Sequence, residues 1–207
     1  MSLFAPLFEI SLPKVESEQE VLELVREHLL PILPARAPLI SIDGLDGSGK
    51  STIGRSIAAL SGRSLIDLDE FLQKQQGQFL GALRFDDLRR ALADEPTVIE
   101  GCLVGAVLRR LTHEADFQIY VARTGRMRGD TRHEWCDEHE LLFGTRTAAE
   151  LIKEEEDQLK AFSETGFFGM NSDNGELPAL WKELITYHRE FAPHRTADLI
   201  VKVERSV

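Results

Sequence analysis

Eight consecutive residues constrain this chain more than any other stretch: Gly44-Leu45-Asp46-Gly47-Ser48-Gly49-Lys50-Ser51, with Thr52 following. They satisfy the pattern G-x-x-x-x-G-K-[ST] at every fixed position. The run leaves an apolar segment, Leu39-Ile40-Ser41-Ile42-Asp43, and enters a helical pattern at Ile53–Leu60. Each residue type has a chemical reason. Glycines let successive backbone N–H groups turn inward around phosphate oxygens, and the following helix adds the positive end of its dipole. Gly44, Asp46, Gly47, Ser48, Gly49, Lys50, Ser51 and Thr52 are therefore the candidate nucleotide-binding residues. In such a loop the lysine, Lys50, reaches the β- and γ-phosphates, and the hydroxyl of Ser51 ligates Mg²⁺. A chance glycine turn before a helix is the competing reading, which the strand–loop–helix context disfavours.

The surrounding pattern is that of an α/β domain. Strand-like runs fall at 39–43, 64–68, 97–100, 117–122 and 199–203, with helical periodicity at 50–60, 85–93, 103–111, 131–143, 147–162 and 180–191. Alternation of this kind predicts βαβ units and a parallel sheet. Residues 1–38 read as an N-terminal helical extension and 39–207 as the main domain. In the extension, Ser17-Glu18-Gln19-Glu20 forms a capping-box pattern, and Pro31, Pro34 and Pro38 stop the helix. Ser163–Ala179 reads as a long irregular loop.

Composition narrows the partners. The chain has 207 residues, 24 basic against 35 acidic, and a net charge of −11. That balance argues against a nucleic-acid or anionic-membrane binder. No apolar stretch is long enough to cross a membrane. The two cysteines, Cys102 and Cys136, form no CxxC pair, which predicts a reduced, cytoplasmic protein. His133, Cys136 and His139 drift too far around a helix, and lack a fourth partner, to be read as a metal site. Glu154-Glu155-Glu156-Asp157 reads as a solvated helix face.

Among proteins with such a loop, the absence of an NKxD motif excludes a typical GTPase, and Val98-Ile99-Glu100-Gly101 lacks the Asp-Glu pair of motor ATPases. No Asp-Arg dipeptide occurs, unlike in nucleoside monophosphate kinases. The later segments resemble the uridine kinase family, which includes nicotinamide riboside kinases: Asp67-Leu68-Asp69-Glu70-Phe71, Val98-Ile99-Glu100-Gly101, Ala115–Val121, and Tyr187–Pro193 with Ala197–Val201. The resemblance covers roughly 39–203. It implies a P-loop NTPase-type, five-stranded parallel sheet of order 2-3-1-4-5 flanked by helices. It also implies an enzyme using ATP and Mg²⁺ to phosphorylate a hydroxyl of a nucleoside-like small molecule.

The same resemblance suggests roles. Asp69 is the candidate base for the acceptor hydroxyl, with helix capping as the alternative. Glu100 follows buried residues and is the candidate for holding Mg²⁺ through water together with Ser51. Arg126 and Arg128, within Arg126-Met127-Arg128-Gly129-Asp130, are the lid arginines that would neutralise the transferring phosphoryl group, or else belong to a solvated basic loop. Phe71 and Asp86 are placed beside the acceptor. Here the chain departs from the family, carrying Arg84-Phe85-Asp86-Asp87 where uridine kinases carry His-Pro-Asp; helix capping is the competing role of both aspartates. Two other expectations stay open: a kinase of a sugar or vitamin alcohol, and a non-catalytic ATP-binding regulator.

Overall fold

The computed structural model describes residues 8–13, 17–73, 77–93, 96–124, 141, 144–165 and 176–204. Among the described residues six strands form one parallel sheet: β1 (Phe8–Leu12), β2 (Leu39–Asp43), β3 (Ser64–Asp67), β4 (Thr97–Gly101), β5 (Phe117–Thr124) and β6 (Leu199–Glu204). Their spatial order is β1-β6-β5-β2-β4-β3. The five strands read from sequence stand in the order expected of them. The five-strand count is corrected to six, because Phe8–Leu12 pairs in parallel with β6, from Phe8 opposite Leu199 to Leu12 opposite Val203. The segment read as a helical extension thus also supplies an edge strand.

Helices cover both faces. α1 (Glu18–Leu24) starts where the Ser17 hydroxyl accepts the Glu20 N–H at 3.2 Å, and continues as a π-helical turn over Val25–Leu29. α2 (Lys50–Ser61) follows the glycine-rich loop. Val21, Val25 and Leu29 join Ile53 and Ile57 against Ile40, Ile42, Val98 and Val121 in one apolar layer. On the opposite face α3 (Phe85–Ala91), α4 (Val104–Leu111) and α6 (Ala179–Thr186) bring Leu88, Val104, Val107, Leu108 and Leu184 against Leu39, Ile66 and Ile99. Neighbours Val98 and Ile99 serve opposite layers because side chains alternate along a strand. All five residues of β2 are buried, as expected for a central strand covered on both faces.

α5 spans Ala148–Thr165, so the expected irregular loop begins later than Ser163, and α6 already claims Ala179. α6 passes into a π-helical turn at Tyr187–Phe191, followed by the short α7 (Pro193–Thr196). Most of the expected helix at 131–143 lies outside the described residues. Among those residues, no helix is long and apolar enough to cross a membrane.

Candidate nucleotide-binding site

β2, β3 and β4 run parallel, so their carboxyl ends meet at one edge of the sheet, the edge where such folds bind ligands. Register places Asp67 opposite Glu100 and Asp43 opposite Gly101. Two features of the glycines hold the chain here. Gly49 takes the left-handed φ of +96° at the N-terminus of α2, a conformation that costs a side-chain-bearing residue energy. Gly101 has φ +155°, and a Cβ there would lie 2.8 Å from Cβ of Leu68, so the strand end has no room for a side chain. The Ser48 N–H closes the loop onto the Leu45 carbonyl at 3.2 Å, and the exposed Asp46 accepts the Gly47 N–H at 2.8 Å. Thr52 follows within the first turn of α2.

Lys50 is buried, its Nζ 3.4 Å from the Leu45 carbonyl oxygen. Burial pulls its ammonium down, but Cys102, Glu100 and Asp46 outweigh that pull and leave it above its usual value. Cys102 is itself a small buried side chain, its thiol pushed up to about 12 by burial.

The Ser51 hydroxyl donates to Glu100 Oε2 at 3.0 Å. Glu100 is fully buried, and its Oε1 has no hydrogen-bond partner. Burial and the neighbouring Asp67 push its carboxyl up to about 7, against the pull of Ser51 and Lys50. Ser48 Oγ is likewise buried without a partner. Bare oxygens at the centre of a phosphate-type loop suit a hard cation such as Mg²⁺, which uses one or two protein oxygens and completes its shell with phosphates and water. Among the described residues no group of three or more His, Cys, Asp or Glu side chains could hold a metal by itself.

Asp69 stands in the short 3₁₀ turn Leu68–Phe71 that leaves β3, its N–H held at 2.9 Å by Asp67 Oδ1. Burial and then Asp67 raise its carboxyl above the usual range, while Lys50 pulls it down. Lys50, Ser51, Glu100 and Asp69 therefore form one electrostatic neighbourhood. Phe71 lies half-buried beneath the Arg84 guanidinium, 5.9 Å from its ring centre. Asp86 is placed differently: it sits exposed on the first turn of α3 and pairs with Arg89 at 3.0 Å. Arg126 and Arg128 lie outside the described residues, as do His133, Cys136 and His139.

Sequence reading overlooked two residues. Asp43, at the end of β2, accepts the Gly44 N–H at 2.8 Å on one oxygen and the Tyr187 hydroxyl on the other. Burial pushes Asp43 up to about 6 despite these bonds. Tyr187 is pushed above its usual value by burial and by Asp43, so it keeps its proton and donates. The available signal was an acid closing a largely apolar strand, which must find a partner when buried.

Parallel sheet, flanking helices and glycine-rich loop at the strand ends are consistent with the P-loop kinases. Within that class, the family model for shikimate kinase matches residues 46–83, a stretch that contains Lys50, Ser51, Asp69 and Phe71. The shikimate kinase of Bordetella avium (strain 197N) is 33% identical over 122 residues, covering 51% of this chain and 58% of that protein. The shikimate kinase of Mycobacterium ulcerans (strain Agy99) is 45% identical over 47 residues, or 23% of this chain and 26% of that protein. This chain thus spans little more than half of the first relative. The relatives named are shikimate kinases, and the finer resemblance to uridine kinases has no counterpart among them.

Proposed function

We propose that this chain is an ATP- and Mg²⁺-dependent kinase that transfers the γ-phosphoryl group of ATP to a hydroxyl of a small, non-nucleoside polyol. The observation that carries the reading is the Ser51–Glu100 hydrogen bond beside buried Lys50, with the second Glu100 oxygen left bare. Similarity to shikimate kinases across 46–83 supports the alcohol acceptor and favours it over a nucleoside.

In this mechanism the loop formed by Gly44, Asp46, Gly47, Ser48 and Gly49, together with the N-terminal turn of α2 and its Thr52, orients the phosphates. Ser51 and Glu100 are the residues that would hold Mg²⁺, Glu100 through water; the ion supplies charge neutralisation on the phosphates. Lys50 places its ammonium against the charge that develops at the γ-phosphoryl group. Asp69 takes the proton of the acceptor hydroxyl as its oxygen bonds to the γ-phosphorus; the bond to the β–γ bridging oxygen breaks and ADP leaves. The raised value of the Asp69 carboxyl makes it a better proton acceptor than an ordinary aspartate once ionised. Arg126 and Arg128 are proposed to add positive charge in the transition state, and Phe71 to wall the acceptor side. The exposed Asp86, paired with Arg89, is the weakest member of the acceptor set.

The test is ADP release from ATP·Mg²⁺ with shikimate, a hexose, a vitamin alcohol and uridine as separate acceptors, and with Lys50→Ala as control. Acceptor-dependent release with a non-nucleoside alcohol, lost in Lys50→Ala, is expected. Release with uridine alone would return the acceptor to the nucleoside class. No acceptor-dependent release, with ATP still bound, would favour a regulator.

A further inference from the structure

One face of α6, continued by the first residue of the π-helical turn after it, touches both sides of the site. Glu183 and Tyr187 are four residues apart, one helical turn, and so project from the same side of the helix. The Glu183 carboxylate accepts the N–H of Phe79 at 2.7 Å and that of Leu80 at 3.3 Å. Those residues open the short 3₁₀ turn Leu80–Ala82, in the connection between Phe71 and α3 on the acceptor side. The Leu180 N–H adds a bond to the Gly77 carbonyl at 3.1 Å.

One turn later, the Tyr187 hydroxyl donates to Asp43, whose other oxygen holds the first N–H of the glycine-rich loop. The Gly105 N–H donates to the Tyr187 oxygen at 3.1 Å, and a Cβ at position 105 would stand 2.8 Å from that oxygen. Only a glycine leaves the tyrosine this approach. The far side of α6 is fixed as well, by Lys182 on Glu156 of α5 at 2.6 Å.

We infer that Glu183 and Tyr187 are positioning residues: through one rigid helix face they set the acceptor-side backbone at Phe79–Leu80 against the strand end that launches the phosphate loop. The inference rests on the kinase reading above and extends it to residues that touch neither substrate. Phosphoryl transfer depends on alignment of two separately bound reactants, and a shared strut supplies such alignment. Energetic coupling between the two sides follows, and it is reciprocal.

The experiment is amide hydrogen exchange on the full chain, with and without the β,γ-imido analogue of ATP plus Mg²⁺. In the wild type the analogue is expected to slow exchange at Gly47–Ser51 and also at Phe79 and Leu80, the latter by about threefold or more. In Tyr187→Phe, protection at the loop should remain and the effect at Phe79 and Leu80 should vanish. Glu183→Ala should abolish it too, while Glu183→Gln, whose amide oxygen still accepts the two N–H groups, should keep it. Should Glu183→Ala fail to fold, Tyr187→Phe decides. Loop protection without a response at Phe79 and Leu80 in the wild type, or a response that survives Tyr187→Phe, overturns the inference alone. Absence of protection at the loop itself overturns the kinase reading, and the inference with it.

Discussion

His188 gives a stability experiment whose sign and size can be worked out beforehand. Its ring is 1% exposed on the π-helical turn after α6. Nδ1 donates to the Leu184 carbonyl at 2.9 Å, and Nε2 is buried without a hydrogen-bond partner. The ring lies edge-on to Tyr187 at 5.2 Å and Tyr120 at 5.9 Å, and His194 also meets the Tyr120 ring, at 6.0 Å. No carboxylate is among the groups that shift it. Burial, followed by His194, lowers its value to about 4, against the upward pull of the Leu184 carbonyl. The unfolded chain takes up a proton near pH 6.5, and the folded chain refuses it until about 4. The stability His188 contributes is therefore complete above pH 6.5 and lost as pH falls towards 4. At about 1.4 kcal/mol per pH unit, moving from pH 7.5 to 4.5 costs roughly 3 kcal/mol. Asp43 and Glu100 act oppositely, because their raised carboxyls lend stability at low pH that is lost as pH rises through about 6 and about 7. A comparison with His188→Asn cancels them, since both chains carry those acids. In urea unfolding at the two pH values, the wild type's advantage over His188→Asn should shrink by roughly 3 kcal/mol at pH 4.5. An advantage independent of pH would mean that the buried ring accepts its proton as easily as an exposed one, and would refute the reasoning.

Two further outcomes follow from the site. Gly101→Ala forces a methyl group to 2.8 Å from Leu68. It should cost about 1–3 kcal/mol, read as a lowered melting temperature, and an unchanged melt would show that the strand end relaxes freely. Asp69→Asn should lower kcat about 100-fold while ATP affinity stays within about threefold; near-normal turnover would reduce Asp69 to a turn-forming residue.

What the sequence disclosed followed from the range of the interactions concerned. The phosphate loop is a local pattern, with its chemistry written into nine adjacent positions, Gly44 to Thr52. β2 and β4 announced themselves because every residue in them is buried. β1 did not: as an edge strand it is mostly exposed, and its apolar residues make too short a pattern to separate it from a tail. The Asp43–Tyr187 bond joins residues 144 positions apart, and only the docking of the turn after α6 beside the end of β2 and the start of α4 brings them together. The pairing of Asp86 with Arg89, three residues on along the exposed first turn of α3, is by contrast a local one.

The edge pairing of β1 with β6 also bears on how the molecule assembles. Glu9 and Lys202, 193 positions apart, meet across that edge. During synthesis the first strand must wait for almost the entire remaining domain to emerge before its partner exists, while β2, β3 and β4 can pair earlier. Closing a loop of that size is entropically the most demanding step in the sheet, so this edge belongs to the late events of folding. Until β6 docks, the outer edge of β5 presents unpaired backbone groups, and from then until β1 docks the outer edge of β6 does.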